Sequence, residues 1–162
     1  DSVTANLPQQ KKDSVDNKQK QWISSYTSIT YPLKSIKVTS PYGYRRDPFT
    51  GKRSWHNGLD LRAKNEPAYA MMDGIVEKVG YDNRSGNYII LRHADFTISY
   101  CHLSKVHIAP GTLVFAGTII GRSGSTGRAT GEHLHLTVKY KKAYLNPKIL
   151  LEKIGEYALS IK

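Results

Sequence analysis

The sequence predicts a mainly β domain, built as a compact barrel or sandwich, with one short helix near the C-terminus. Three observations predict this fold class. Short apolar or alternating runs dominate the chain from about Ile36 onward, turn-forming residues separate these runs, and only one stretch carries a convincing helix-start signal. The 162 residues are enough to bury one core without disulfide cross-links, and the single cysteine, Cys101, can form none within the chain.

The first 35 residues are predicted to form a polar N-terminal extension or linker, and residues 36–162 a single folded domain. Residues 1–35 are rich in Gln, Lys, Asp and Ser and contain few periodic apolar positions. No apolar run anywhere in the chain approaches the roughly 18 residues that a membrane-spanning helix needs. We therefore expect no membrane span.

Six segments have the composition and alternation of β-strands, and Gly, Pro, Asn and Asp mark the turns between them. These segments are residues 74–79, 87–92, 97–102, 112–115, 118–120 and 132–138. The predicted helix follows the last of them. Asn146 is a good N-cap, Pro147 suits the first helical position, and the helix is expected to run towards Tyr157.

The chain is strongly basic, with 24 Lys and Arg against 13 Asp and Glu and a net charge of +11. This excess favours an anionic partner, such as nucleic acid, an anionic membrane or an acidic cell-wall polymer. The predicted helix carries no Lys/Arg stripe, and no nucleic-acid-binding motif is present. We therefore expect no nucleic acid partner.

Two histidines share one face of the strand predicted at residues 132–138. Side chains alternate along a strand, so His133, His135 and Thr137 face one way, while Leu134 and its apolar neighbours face the other. Because the apolar face is the natural core face, two imidazoles are left side by side on the open face. This pair is a candidate metal site, although a His-x-His sequence also arises by chance on surfaces.

A second cluster strengthens the metal hypothesis. The segment WHNGLD, residues 55–60, places an imidazole and a carboxylate four residues apart, with Gly58 permitting a sharp turn between them. Catalytic zinc sites use three protein ligands of this chemistry and leave the fourth position to water. His56 and Asp60, together with a histidine of the His-x-His pair, would make such a set.

These motifs resemble the lysostaphin-type zinc metallopeptidases, also called the β-lytic metallopeptidase family. The resemblance covers residues 38–147, about two thirds of the chain, and its blocks stand in the family's order and approximate spacing. The matching segments are SPYGYRRDP at 40–48, HNGLD at 56–60, YCHLS at 100–104, and GSTG at 124–127 followed by GEHLH at 131–135. The resemblance implies a groove over an antiparallel sheet and a barrel-sandwich-like core of the duplicated hybrid motif type.

The resemblance also implies a role for each matching residue. His56, Asp60 and His135 match the zinc ligands, with one Zn²⁺ expected per chain, and His102 and His133 match the two unliganded active-site histidines. The chain has no His-Glu-x-x-His motif and so no adjacent Glu to act as a base. His133 is therefore expected to be the base towards the zinc-bound water, and His102 to stabilise the oxyanion or return a proton, with the two roles interchangeable.

The implied activity is zinc-dependent hydrolysis of amide bonds in the peptide cross-links or bridges of bacterial peptidoglycan, with zinc-bound water as the nucleophile. The expected partners are peptidoglycan stem peptides or cross-bridges. The expected location is outside the cytoplasm: periplasmic, in the cell envelope or extracellular. The alternative is a non-cleaving cell-wall-binding or hydrolase-activator module of the same fold. The presence of both His102 and His133 argues against it.

Several neighbouring residues invite other interpretations. His93 and His107 match no family position and are expected to be ordinary surface or strand histidines. Cys101 beside His102 suggests a thiol protease, but neighbours on a strand face opposite ways, so we expect a buried thiol instead. Glu132 replaces the family's usual Pro and is expected to point away from the metal.

Two further hypotheses concern charged and polar residues around the expected groove. Six basic residues in nearby loops form a solvated surface or attract cell-wall anions: Arg45, Arg46, Lys52, Arg53, Arg122 and Arg128. In some family members an upstream segment blocks the groove, and Asn6 or Asn17 could supply a zinc ligand in this way. The segments 68–74 and 111–117 are similar to biotinyl and lipoyl carriers, but Met71 and Met72 stand where the acceptor Lys is needed.

Overall fold

The computed structural model describes residues 29–160. Most of the predicted N-terminal extension, including Asn6 and Asn17, lies outside the described residues. Within them the chain forms short antiparallel strands and one C-terminal helix, which confirms the predicted fold class. The elements are β1 (Val38–Ser40), β2 (Gly43–Arg46), β3 (Arg53–His56), β4 (Leu59–Arg62), β5 (Pro67–Tyr69), β6 (Gly74–Asp82), β7 (Gly86–His93), β8 (Phe96–Leu103), β9 (Lys105–Val106), β10 (Leu113–Val114), β11 (Ile119–Arg122), β12 (His133–Tyr140), β13 (Ala143–Leu145) and α1 (Lys148–Ser160).

An eight-stranded antiparallel sheet organises the domain. Its strand order is β1-β4-β12-β8-β7-β6-β10, and β13 pairs with β12 outside this path. The last long strand in the sequence, β12, therefore lies between the early strand β4 and the central strand β8. A three-stranded sheet, β5-β11-β9, and the β2-β3 hairpin complete the described strands.

The core lies on one face of the large sheet and is almost entirely aliphatic. Along β12 the residues Leu134, Leu136 and Val138 are fully buried, whereas the intervening side chains are half-buried, which confirms the predicted alternation. Tyr100 is also fully buried, and its hydroxyl accepts a hydrogen bond of 3.0 Å from the backbone N–H of Met71. This bond joins the large sheet to the segment that follows β5.

The helix begins as the sequence predicts. The side chain of Asn146 accepts a hydrogen bond of 3.0 Å from the backbone N–H of Lys148, which is the geometry of an N-cap. Pro147 precedes the first helical residue, and Leu150 is completely buried in the hydrophobic core. None of the described helical residues forms a segment long and apolar enough to cross a membrane.

Several short strands, β1 to β5 among them, were not predicted from the sequence. Strands of three or four residues are too short to show an alternating pattern, and their pairing partners lie far away in the sequence. The described chain also packs onto the domain before residue 36. Ile29 forms a β-bridge with Met72, and Leu33 is 1% exposed and belongs to the core.

His93, at the end of β7, is a buried histidine rather than a surface one. It is 1% exposed, and its Nδ1–H donates a hydrogen bond to the backbone carbonyl of Asp73. Burial lowers the pKa of His93 below its ordinary value, although this hydrogen bond and the Asp73 charge oppose the shift. The neutral imidazole is therefore the form that the folded domain accommodates.

This burial makes His93 a source of acid sensitivity. The unfolded chain takes up a proton at His93 below about pH 6.5, whereas the folded domain takes it up only at lower pH. The free energy of unfolding of the metal-free protein should therefore fall as the pH is lowered from 7 to 5. We expect His93→Asn, which keeps a donor for Asp73, to make this fall shallower in urea denaturation. The exposed His107→Asn serves as the control, and equal pH slopes for wild type and His93→Asn would contradict the prediction.

Candidate metal centre

The pairing of two strands brings Asp60 and His135 together. β4 and β12 run antiparallel with Asp60 directly opposite His135, and directly opposite side chains of such a pair share one face. His56 reaches the same point from the end of β3, four residues before Asp60. Three residues that span 80 positions of sequence thus meet at one edge of the open sheet face.

The three side chains present donor atoms at the spacing that a zinc ion needs. His135 Nδ1 lies 2.7 Å from Asp60 Oδ1 and 3.3 Å from His56 Nε2, and the latter two atoms are 3.6 Å apart. Ligands at 2.0–2.1 Å from a tetrahedral zinc ion lie about 3.3 Å from one another. Two imidazole nitrogens and one carboxylate oxygen at these distances fit zinc. All three residues line the groove.

Hydrogen bonding and burial prepare His56 to donate a lone pair. Its Nδ1–H donates to the backbone carbonyl of Pro41 over 2.8 Å, which leaves Nε2 unprotonated in the neutral ring. Burial lowers the pKa of His56 to about 4, so the ring is neutral at physiological pH. Burial alone would raise the pKa of Asp60, but the hydrogen bond with His135 and the neighbouring imidazoles outweigh it and lower that pKa.

Gly58 permits this convergence through its size. A Cβ atom at residue 58 would lie 2.5 Å from the carbonyl oxygen of Leu136 and 2.6 Å from the His135 ring. From its place between His56 and Asp60, Gly58 was predicted to permit a sharp turn. In the structure its missing side chain is what lets β12 and the His135 ring approach.

The remaining two predicted histidines lie beside this cluster with their rings turned the same way. His102 Nδ1–H donates to the carbonyl of Thr126 over 2.7 Å, and His133 Nδ1–H donates to the carbonyl of Gly131 over 2.9 Å. Their ring centroids are 4.8 Å apart. His133 Nε2 lies 3.7 Å from Asp60 Oδ1. The neutral form of each ring therefore carries its proton on Nδ1 and offers Nε2 as a proton acceptor.

A β-bulge in β8 places His102 in the groove. His102 has a φ of +64°, and the register between β7 and β8 shifts at this point. The expectation that Cys101 and His102 face opposite ways is therefore wrong, because both side chains line the groove. The thiol is still unsuited to catalysis. Cys101 is buried, as expected, and burial raises its pKa to about 11.

The groove has a volume of about 700 Å³ and extends well beyond the histidine cluster. Glu132 is exposed and does not line it, as expected from the sequence. The residues that line the groove outside the cluster include Phe49, Trp55, Asp82, Arg84, Tyr88, Ile90, Ser99, Arg128, Thr137 and Tyr144. Strand residues thus supply most of the lining, and Phe49, Arg84 and Arg128 add aromatic and charged groups from loops.

Four of the six basic residues that were expected in loops lie in strands instead, namely Arg45, Arg46, Arg53 and Arg122. Several of the arginines contact protein groups. Arg45 Nη1 lies 3.3 Å from Asp60 Oδ2, and the side chain of Arg45 is only 20% exposed. The guanidinium groups of Arg53 and Arg128 each lie 4.2 Å from the centre of an aromatic ring. The hypothesis that these basic residues attract cell-wall anions stays a prediction.

Comparison with known proteins gives a consistent family assignment. Residues 54–147 match Peptidase family M23. The chain is 38% identical over 120 residues to the peptidoglycan DD-endopeptidase ShyC of Vibrio cholerae, and 37% identical over 118 residues to the DD-carboxypeptidase/endopeptidase Mpg of Neisseria meningitidis. Each match covers 72% of this chain but only 28% and 27% of these relatives. The chain thus spans little more than a quarter of their length.

Solved structures show the same fold. A zinc-containing peptidase from Vibrio cholerae superposes with a TM-score of 0.69 at 33% identity, over 75% of this chain and 39% of that one. The catalytic domain of the antimicrobial peptidase lysostaphin from Staphylococcus simulans superposes with a TM-score of 0.65 at 31% identity. That match covers 82% of this chain and 96% of the lysostaphin domain.

The role of Gly58 can be tested by adding one methyl group. We expect Gly58→Ala to push the His135 ring out of the cluster and to lower zinc affinity at least about tenfold, as loss of a correctly oriented ligand does. Zinc affinity would be measured by competition with a chromophoric chelator, alongside the thermal unfolding of the metal-free protein. Gly155→Ala is the control, because nothing lies within 4 Å of the added methyl group. Wild-type zinc affinity in Gly58→Ala would refute this account.

Proposed function

The chain belongs to peptidase family M23, and we propose that it is a zinc-dependent endopeptidase that hydrolyses amide bonds in the peptide cross-links of bacterial peptidoglycan. The observation that carries the proposal is the meeting of a three-donor metal cluster and two further imidazoles in one open groove. We assign this activity to the domain formed by residues 36–162, acting in the cell envelope or outside the cell. One of the two named relatives is a peptidoglycan DD-endopeptidase and the other a DD-carboxypeptidase/endopeptidase. These names favour an amide bond between two D-configured residues of the cross-link as the target.

We propose that His56, Asp60 and His135 hold one zinc ion per chain. Bound there, zinc supplies Lewis-acid chemistry, because it makes hydroxide available near neutral pH and polarises a carbonyl group. Burial and the hydrogen bond to Pro41 keep His56 neutral and oriented, and the lowered pKa of Asp60 keeps its carboxylate ionised, before any metal arrives. Little reorganisation is therefore needed on binding.

His133 is proposed as the proton acceptor. Its Nδ1–H donates a hydrogen bond to the carbonyl of Gly131, so Nε2 carries the lone pair of the neutral ring. This Nε2 atom lies 3.7 Å from Oδ1 of the metal ligand Asp60. It takes the proton that an attacking water loses, and the leaving amine needs one proton in return. His102 is close enough to share this task. Since burial lowers its pKa, His102 also starts as a neutral acceptor and can donate from Nε2 only after taking up a proton.

The floor of the groove continues as a basic sheet surface that suits anionic substrates. Lys139 of β12 lies beside Thr97 of β8, which in turn lies beside Arg92 of β7. Arg92 is paired with Glu77 at 3.6 Å, whereas Lys139 lies over the ring of a groove-lining tyrosine at 4.5 Å. We propose that this surface binds the carboxylates of peptidoglycan stem peptides.

The roles of the two unliganded histidines can be separated from metal binding. We expect His102→Ala and His133→Ala to retain stoichiometric zinc and to lose roughly 10²–10⁴-fold in turnover, since each removes a general acid–base group. Mass spectrometry of the muropeptides released from sacculi with direct cross-links, and from sacculi with glycine bridges, measures the loss and identifies the bond. The exposed His107→Ala should behave as wild type.

The same experiment decides between the two functions considered. A wild-type protein that carries zinc but releases no muropeptide from either type of sacculus would refute the peptidase proposal. Binding to those sacculi without cleavage would instead support the non-cleaving module.

The basic sheet surface around Lys139 should contribute to substrate binding and not to the rate of hydrolysis once substrate is bound. We expect Lys139→Gln to weaken binding to isolated sacculi severalfold and to reduce the salt dependence of that binding, with little effect on the rate at saturating substrate. Lys105→Gln, an exposed charge on β9 outside the groove, is the matched control. Equal binding and equal salt dependence in the two variants would show that this surface does not contact anionic groups.

A further inference from the structure

We propose that Arg45 is a positioning residue that makes Asp60 a single-oxygen ligand, and so keeps a coordination position free for the reaction. The inference rests on the metal binding proposed above. The proposed ligand set names Asp60 but does not say whether one or both of its carboxylate oxygens bind the metal. The inference concerns the second of these oxygens, Oδ2. No motif in the sequence shows this contact, because Arg45 lies 15 residues from Asp60, on a different hairpin.

The two oxygens of Asp60 have different partners. Oδ1 faces the histidines, 2.7 Å from His135 Nδ1, whereas Oδ2 lies 3.3 Å from Arg45 Nη1. The same Nη1 donates a hydrogen bond of 2.9 Å to Ser40 Oγ. One guanidinium nitrogen thus contacts both Ser40 Oγ and Asp60 Oδ2, whereas the contacts of Asp60 with the surrounding histidines all run through Oδ1. Only Oδ1 is presented to the metal cluster.

The local fold directs Arg45 to this point and its neighbour elsewhere. β1 pairs with β4 so that Ser40 lies opposite Asp60, and β2 brings Arg45 back over the same position. Alternation along β2 sends the next side chain, Arg46, to the opposite face, where it is exposed. The pair therefore offers a natural control, since Arg46 carries the same charge one residue away.

The positive charge of Arg45 does not by itself explain why an arginine lies beside the proposed zinc ligands. A fixed cation beside a zinc site opposes zinc binding electrostatically, so a role in affinity would favour a neutral residue here. Carboxylates can bind metals through one oxygen or two, and a second oxygen would occupy the fifth position, into which a catalytic zinc site with three protein ligands and one water expands during reaction. Restraint of Oδ2 accounts for a cation at this position.

The coordination number of the bound metal tests the inference directly. With cobalt(II) in place of zinc, we expect Arg45→Met to lower the visible absorption at least about twofold, since a five-coordinate site absorbs more weakly than a tetrahedral one. Hydrolysis should lose at least about tenfold in kcat with little change in KM, because the interaction acts through the metal ligand. Arg45→Lys should restore part of the cobalt absorption and part of kcat. Arg46→Met should change neither of these two quantities.

Three outcomes would overturn the inference. The first is an unchanged cobalt spectrum in Arg45→Met. The second is a loss of kcat without a spectral change, which would place Arg45 on the substrate. The third is an equal effect of Arg46→Met. If Arg45→Met does not fold, Ser40→Ala removes the second contact of the guanidinium and should shift the spectrum in the same direction. A wild type without hydrolysis would refute the proposed function, while the cobalt spectra would still decide the role of Arg45.

Discussion

The pairing of β4 with β12 is the contact on which both the core and the metal cluster depend. The register that places Asp60 opposite His135 also buries Leu134 and Leu136 on the other face of the same strand. A slip of one residue would expose these leucines, at about 1.5–3 kcal/mol each, and would turn the imidazole of His135 into the core. Hydrophobic burial therefore enforces the geometry of the polar site.

Backbone carbonyls orient three of the histidine rings in the site. His56, His102 and His133 each donate Nδ1–H to a carbonyl, so each neutral ring turns its Nε2 lone pair towards the groove. Two of these rings are largely buried, and burial lowers their pKa values. One arrangement thus serves both proposed tasks, since neutral imidazoles with defined tautomers are good metal ligands and good proton acceptors.

Sequence reasoning failed where the chain departs from regular strand geometry. Alternation predicted the faces of β12 correctly, because His133 and His135 lie on an unbroken strand. It failed at Cys101 and His102, where the bulge turns both side chains to the same side. It also missed the short strands β1 and β2, whose pairing sets the position of Arg45. A bulge or a three-residue strand leaves little signal in the local order of residues.

The sequence by itself determined the fold class, the faces of β12, the helix N-cap and the five residues that match one family's site. Each of these follows from local periodicity, capping chemistry or a motif of fixed spacing. Only the tertiary structure decided that Gly58 makes room for His135, that His93 is buried, and that Arg45 contacts Asp60 rather than solvent. These are contacts between elements distant in the chain, and they depend on strand register and packing, which residue order alone does not specify.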